Sequence, residues 1–220
     1  VEMLTTVLDS YRRHRFAWLF FSLLLTLGAR PALETLVSGF NPLELLLALN
    51  LVAAIAGVAH DRWIRVLLLL GIAFIVTRGI RVVLGVEFLL PISQVLWVSA
   101  CLLATVATAR HALQAGTVDA EHIFAALDAY LLAGLIFGVC YWLLDQTWPT
   151  SFGAAAESDL DLARAVYFSF VTIATLGYGD VVPASDSARG LAILEAVSGQ
   201  MYLTVLVARL ASLYAKQADE

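Results

Sequence analysis

The stretch TIATLGYGD occupies residues 172–180 and lies between two long apolar runs of a 220-residue chain. In it, Gly177 and Gly179 alternate with bulkier side chains. Glycine adopts positive φ angles that other residues rarely adopt. The alternation therefore predicts an extended strand whose successive carbonyl groups turn to the same side. In a soluble protein, the same letters would also be compatible with an ordinary turn.

The composition indicates an integral membrane protein of the all-α class. Hydrophobic residues make up 61% of the chain and charged residues 14%, and the mean hydropathy is +0.86. A soluble domain usually has about a quarter charged residues. The net charge of −5 is spread over loops and ends, and the chain has no basic patch suited to nucleic acid. Cys101 and Cys140 fall within apolar segments without metal-ligand spacing to the histidines.

Apolar runs long enough to cross a bilayer, which takes about 20 residues, predict six transmembrane helices. Their approximate bounds are 16–28, 43–59, 64–86, 90–109, 123–144 and 187–213. Basic residues 12–15 before the first helix favour a cytoplasmic N-terminus, and an even number of spans then makes both termini cytoplasmic. A signal peptide is the alternative for this first segment, but Arg30 and Pro31 make a poor cleavage junction. Pro31 is expected to kink the first helix.

The segment between the fifth and sixth helices has a different character. Residues 145–161 are polar and are expected to be extracellular. Residues 158–161 predict a capping box at the start of a short helix over 162–174. Such a helix is too short to cross the bilayer, so we expect it to be re-entrant. The irregular backbone that follows is tolerated at membrane depth only inside protein or lining water.

Residues 172–180 resemble the selectivity filter of potassium channels, TxxTxGYGD, at every defining position. The resemblance covers about residues 123–213 and implies an outer helix, a pore helix, a filter and an inner helix in a fourfold tetramer. It implies that K⁺ ions bind in the filter and that no organic cofactor is needed. The implied filter residues are Thr175, Leu176, Gly177, Tyr178 and Gly179, of which the first four supply the K⁺ ligands. Because the chain contains one such stretch, three identical subunits and membrane lipid are the expected partners.

The resemblance also divides the chain into domains. Residues 1–113 form a four-helix transmembrane domain, 114–122 a linker and 123–220 the pore domain. The fourth helix stands where a voltage sensor would, but no Arg or Lys occurs between residues 90 and 109, so we do not expect it to sense voltage. Arg78 and Arg81 on the third helix are expected to snorkel or pair with outer carboxylates; a displaced sensor or a lipid-headgroup site is the alternative.

Filter support is the second site that the resemblance implies. Many relatives place two tryptophans on the pore helix, and Tyr167 and Phe168 stand at those positions. Tyr167 keeps a hydroxyl that can reach Asp180, whereas Phe168 cannot donate a hydrogen bond to Tyr178. Val171 stands where some relatives have a glutamate. These losses lead to the hypothesis that the filter inactivates more readily at low K⁺.

The sixth helix carries two unusual features. Glu195 is either a neutral structural acid behind the pore helix or a filter-gating, pH-sensitive acid, because a charge at its depth is costly. Gly199 is either a hinge or a close-packing position. One face of the helix is expected to line a water-filled cavity, with a tight helix contact as the alternative. This face carries Gln200, Thr204, Ala208 and Ala211.

The sequence thus predicts a potassium-selective, voltage-independent homotetrameric channel in a cell membrane. The Ala-, Leu- and Arg-rich composition favours a bacterial inner membrane. A non-selective cation channel and a non-conducting regulatory or scaffold subunit are the alternatives. An enzyme is not expected, because Thr175 has no His or Lys beside it and no nucleophile–base cluster stands elsewhere.

Overall fold

A computed structural model describes residues 14–36, 50, 63–84, 89–112, 120–154 and 160–218. The described helices are α1 (Arg15–Leu36), α2 (Trp63–Leu84), α3 (Leu89–Ala112), α4 (Ala120–Thr147), α5 (Leu162–Ile173) and α6 (Asp186–Ala218). Two short strands, β1 (Phe152–Ala154) and β2 (Val181–Pro183), flank α5 in the chain. The chain divides into two compact units, Val1–Leu132 and Ala133–Glu220, with the boundary inside α4.

The described helices coincide with five of the six predicted spans and with the predicted short helix. The second predicted span, 43–59, and its start signal at 41–42 lie outside the described residues apart from position 50. Two described segments are long and apolar enough to cross a membrane, Ala120–Thr147 and Asp186–Ser212. The mostly helical architecture therefore agrees with the predicted class, and the count of six spans stays a prediction.

In the first unit, α1 contacts the N-terminal half of α4. Phe16, Leu19 and Leu23 on α1 are buried. The rings of Phe20 and Phe124 lie 5.6 Å apart, centroid to centroid. The Glu121 carboxylate accepts a hydrogen bond of 3.1 Å from the backbone N–H of Phe16, in the first turn of α1. In the same unit α2 and α3 pack against each other.

The first unit also buries the carboxyl group of Asp128. Asp128 on α4 is 0% exposed, and neither of its side-chain oxygens has a hydrogen-bond partner among the described residues. A buried polar group without a hydrogen bond is energetically costly. An ionised carboxylate would be costlier still in that position, so we expect Asp128 to be protonated.

In the second unit, β1 and β2 form a small antiparallel sheet that was not predicted. Phe152 pairs with Pro183, and Ala154 pairs with Val181. The carbonyl oxygen of Ser151 accepts hydrogen bonds from the N–H groups of Ala184 and Ser185, at 2.8 and 3.1 Å. The sheet therefore fixes the backbone that directly follows residue 180 by pairing it with β1, which lies in the segment 145–161 that was expected to be polar.

An aromatic cluster lies beside this sheet and forms part of the core of the second unit. Tyr141 of α4, Phe152 of β1 and Phe168 of α5 are in mutual edge-to-face contact, with centroid distances between 4.9 and 5.4 Å. Edge-to-face pairs stabilise by about 0.5–1.5 kcal/mol each beyond their buried area. The cluster thus ties the sheet to α4 and α5.

Candidate functional site

The short helix α5 begins at a single capping residue. Asp161 has extended backbone angles, φ −73° and ψ 164°, and its side chain accepts a hydrogen bond of 2.6 Å from the N–H of Arg164. This geometry is that of an N-cap. The predicted capping box placed the signal at 158–161; the observed cap is its last residue, and Ser158 lies outside the described residues.

Glycines on α4 and α6 allow α5 to approach both helices closely. A Cβ at Gly138 would lie 2.7 Å from the Val166 backbone, and one at Gly199 would lie 2.5 Å from Cγ1 of Ile173. Gly134, one turn before Gly138, would meet the Phe170 ring at 2.9 Å. Real Cβ atoms do not approach other heavy atoms so closely. The close approach to Ile173 therefore gives a packing reason for a glycine at position 199. The sequence had left a hinge and close packing as alternatives.

The backbone that follows α5 directs its N–H groups towards that helix. Thr175 donates to the carbonyl of Thr172 at 2.9 Å. Leu176 and Gly177 both donate to the carbonyl of Val171, at 2.8 and 3.3 Å. The peptide bonds are trans, so each carbonyl points opposite to the N–H of the next residue. The carbonyls of residues 174–176 are therefore directed away from α5.

Alternate residues of this segment, which is irregular backbone without β-pairing and is called the strand at 175–179 after its predicted form, have left-handed backbone angles. Thr175, Gly177 and Gly179 have φ values of +58°, +61° and +77°. Among the described non-glycine residues only Thr150 and Thr175 have a positive φ, so φ is negative at Leu176 and Tyr178. The predicted alternation at the two glycines thus extends to Thr175, where a side chain adopts an angle that L-residues rarely take.

This strand and one face of α6 are exposed in the single chain. Residues 174–180 are all exposed, including Leu176 at 56% and Tyr178 at 66%. The four residues predicted to line a cavity, Gln200, Thr204, Ala208 and Ala211, are exposed as well. Large apolar side chains on α6 share this exposure: Ile193, Leu194, Val197, Met201, Val205 and Val207. Apolar exposure on this scale marks a surface that contacts protein or lipid.

The predicted support residues occupy three different environments. The Tyr167 hydroxyl donates a hydrogen bond to the Asp180 carboxylate, and that bond, with smaller effects of desolvation and of the Asp180 charge, raises the pKa of Tyr167 above its ordinary value. Phe168 is buried in the aromatic cluster with Tyr141 and Phe152. Val171 is buried, and its backbone carbonyl accepts the hydrogen bonds from Leu176 and Gly177.

Glu195 lies fully buried where three helices meet. Its Oε2 accepts a hydrogen bond of 2.5 Å from the hydroxyl of Tyr141 on α4. Its Oε1 is hydrogen-bonded to the hydroxyl of Ser169 on α5. The Ser169 hydroxyl also lies 2.6 Å from the carbonyl oxygen of Gly134. All three side chains are 0% exposed.

Sequence reasoning missed several of these residues, although signals for them exist. Gly134 and Gly138 form a Gly-x-x-x-Gly pattern, which marks close helix contacts in membranes. Tyr141 and Ser169 are polar residues within apolar helices, a signal for a hydrogen-bonded partner such as Glu195. The strand pair had no usable signal, because three-residue strands lack a measurable periodicity. Arg78 and Arg81 fall on α2, but their side chains lie outside the described part of the chain.

Comparison with known proteins identifies the segment that contains this strand. Residues 126–216 match the protein family described as "Ion channel". This match extends over less than half of the chain. Over 91 residues the chain is 34% identical to Two pore potassium channel c of rice, Oryza sativa subsp. japonica, covering 41% of this chain and 18% of that protein. No solved structure matches the chain significantly.

Two further relatives also carry potassium channel names. Two-pore potassium channel 4 of Arabidopsis thaliana is 38% identical over 84 residues, covering 37% of this chain and 27% of that protein. Voltage-gated potassium channel Kch of Escherichia coli strain K12 is 34% identical over 100 residues, covering 46% of this chain and 20% of that protein. The matched segments thus span between about a sixth and about a quarter of these relatives. The predicted relationship to the potassium channel family is confirmed for the ion channel segment.

Proposed function

We propose that this protein is a potassium-selective channel in which four copies of the chain surround one pore and conduct K⁺ passively. The observation that carries the proposal is the strand at 175–179. The N–H groups of Thr175, Leu176 and Gly177 bond back to α5, the φ angles of 175–179 alternate in sign, and the carbonyls of residues 174–176 are directed away from α5 in an exposed segment. Rings of such carbonyls can replace the hydration shell of K⁺.

The fourfold assembly is proposed because one chain supplies one strand. Ligands on a single side coordinate an ion only partially, and the remaining ligands must come from other copies. The exposed apolar residues of α6 offer a surface for neighbouring copies or for lipid. The exposed face at 200, 204, 208 and 211 would then line the cavity below the filter. The carboxyl end of α5, which ends at Ile173, would stabilise a cation in that cavity through its helix dipole.

The residues would divide the work as follows. Carbonyls of Thr175, Leu176, Gly177 and Tyr178, together with the Thr175 hydroxyl, would bind dehydrated K⁺, and Gly179 would complete the filter. The Tyr167–Asp180 hydrogen bond and the strand pair would hold the outer end of the filter. The membrane would be a cell membrane crossed several times, with both termini in the cytoplasm. Conduction would not depend on a charged fourth helix, since residues 90–109 contain no Arg or Lys.

Ion flux from proteoliposomes tests the proposal. The purified protein should release K⁺ and take up Rb⁺, Ba²⁺ should block both fluxes, and Na⁺ should be excluded. Gly177→Ala should abolish flux, because φ is +61° there and the position is otherwise sterically open within the chain. Gly190→Ala, at an open helical position, is the matched control and should conduct normally.

Other outcomes favour the alternatives. Equal Na⁺ and K⁺ fluxes would indicate a non-selective cation channel. Absence of any flux from a properly assembled protein would indicate a regulatory or scaffold subunit.

A further inference from the structure

The hydrogen bonds around Glu195 require more protons than an ionised carboxylate allows. The Ser169 hydroxyl has a single proton, but it lies within hydrogen-bond distance of two acceptors, Glu195 Oε1 and the carbonyl oxygen of Gly134. If Glu195 is ionised, the Ser169 hydroxyl can donate its proton to only one of these two acceptors. Its oxygen then faces the other acceptor with no proton between them, and the two oxygens repel each other. If Glu195 is protonated at Oε1, it donates to Ser169, Ser169 donates to Gly134, and Tyr141 donates to Oε2. The neutral carboxyl satisfies every contact.

The surroundings of Glu195 also favour the neutral form. The titratable groups that face it from the packed helices are the Tyr141 hydroxyl and the Cys140 thiol, both on α4. Among the described residues no cationic side chain faces it, and Ser169 is the polar side chain that α5 contributes. An isolated carboxylate that is fully buried and unpaired with a cation is strongly disfavoured.

The position of this cluster connects it to the filter strand. Ser169 precedes Val171 by two residues on α5, and the Val171 carbonyl accepts the hydrogen bonds of Leu176 and Gly177. Close contacts lie on both sides of the cluster, at Gly138 with Val166 and at Gly199 with Ile173. A displacement of α5 relative to α4 or α6 would therefore move the Val171 carbonyl, to which the strand is hydrogen-bonded.

We propose that Glu195 is a positioning residue which carries a proton in the conducting state and joins α4, α5 and α6 behind the filter. The inference rests on the proposed function, since it assigns the proton a role in holding a conducting filter. Loss of the proton leaves the Ser169 hydroxyl with one proton for two acceptors, Glu195 Oε1 and the Gly134 carbonyl, so one of its two contacts breaks. The helix α5 is then no longer held to both α4 and α6, and the support behind the filter weakens. Raising the pH therefore reduces conduction.

Infrared difference spectroscopy of the purified protein tests the proton without any transport measurement. Wild type at neutral pH should show a carbonyl band of a protonated carboxyl group that disappears in Glu195→Gln. Asp128→Asn is the control, because Asp128 is another buried acid and its removal should leave the Glu195 band in place. Absence of a band that is lost in Glu195→Gln would overturn the proposal. Failure of the protein to conduct would overturn the proposed function and leave this result unaffected.

Single-channel recording across pH tests the positioning role. The amide of Glu195→Gln can donate to Ser169 and accept from Tyr141, so this variant should conduct like wild type at neutral pH and lose the alkaline decline. Ser169→Ala, which keeps the acid and removes its partner on α5, should shorten open times roughly tenfold, a factor typical of one buried hydrogen bond. Equal pH profiles for wild type and Glu195→Gln, or unchanged open times in Ser169→Ala, would overturn the proposal.

Discussion

Gly199→Ala distinguishes close packing from a hinge on α6, because the two interpretations predict opposite changes in stability. The added Cβ would lie 2.5 Å from Cγ1 and 3.3 Å from Cδ1 of Ile173. Ile173 is 1% exposed and is the last residue of α5, so it cannot turn into solvent. Overpacking of this kind costs about 1–3 kcal/mol. Replacing glycine by alanine inside a helix offsets about 0.5–1 kcal/mol of this cost.

The expected net loss therefore lies between about 0 and 2.5 kcal/mol for each chain, with a middle value of about 1.3 kcal/mol. A shift of about 2–4 °C per kcal/mol is typical of chains of this length, so the middle value corresponds to a fall of about 3–5 °C in the melting temperature. Thermal melting of the detergent-solubilised protein, followed by size-exclusion chromatography, provides the measurement. Gly190→Ala on the same helix has no atom within 4 Å of the added Cβ, and it should melt at the wild-type temperature or slightly above it.

A double variant shows whether Ile173 is the cause. Ile173→Ala removes the atoms that clash, so adding Gly199→Ala to it should cost less than adding Gly199→Ala to wild type. A hinge predicts instead that Gly199→Ala raises the melting temperature as Gly190→Ala does, while it changes the conductance. That result would refute the packing explanation.

Three further predictions concern α5 and the filter. Asp161→Ala removes the cap of α5 and should lower the stability measured by thermal melting by about 0.5–2 kcal/mol, whereas Asp161→Asn should retain most of the stability. Equal melting temperatures for wild type and both variants would contradict the assignment of the cap. Tyr167→Phe should shorten open times by removing the hydrogen bond to Asp180. Because this bond raises the pKa of Tyr167, its effect is fully present below pH about 10 and is lost as the pH rises through the raised pKa. The difference in open time between wild type and Tyr167→Phe should therefore be constant from pH 6 to 9, and a difference that varies within this range would argue against the bond. Lowering external K⁺ should shorten open times in single-channel recordings, and unchanged open times would rule out the weakly braced filter.

The backbone of the proposed filter was predictable in part, because two of its φ angles follow from residue type. Two glycines at alternate positions predict two positive φ angles, and the structure has them at Gly177 and Gly179. The third, at Thr175, was not predictable from propensity, because the hydrogen bonds of the following residues to Val171 impose it against the preference of a threonine. Tertiary hydrogen bonds outweigh local preference at this position.

The helices were predictable from apolar length, but their contacts were not. The periodicity of an amphipathic helix indicates its buried face in water, whereas membrane helices are apolar on all sides. For this reason the sequence indicated that Glu195 needs partners but could not choose among the polar residues of α4 and α5. The structure selects Tyr141 and Ser169. The role of Phe168 depends likewise on packing, since its position in the pore helix does not reveal its contact with β1.

The name of one relative raises the question of voltage dependence. The matched Escherichia coli protein is called a voltage-gated channel. That match covers 46% of this chain, and a sensing helix needs several arginines that move through the membrane field. Residues 90–109 have none. The name of this relative is therefore no basis for expecting voltage gating in this chain.

The reversal potential in opposed K⁺ and Na⁺ gradients is the decisive measurement of K⁺ selectivity. For the protein in planar bilayers, a tenfold K⁺ gradient balanced by Na⁺ should give a reversal potential close to the K⁺ equilibrium value, about 59 mV from zero. It should stay there when the pH and the holding voltage are changed within the range that keeps the channel open. A reversal potential near zero would contradict the account, because the carbonyls at 175–178 would then not select K⁺ over Na⁺.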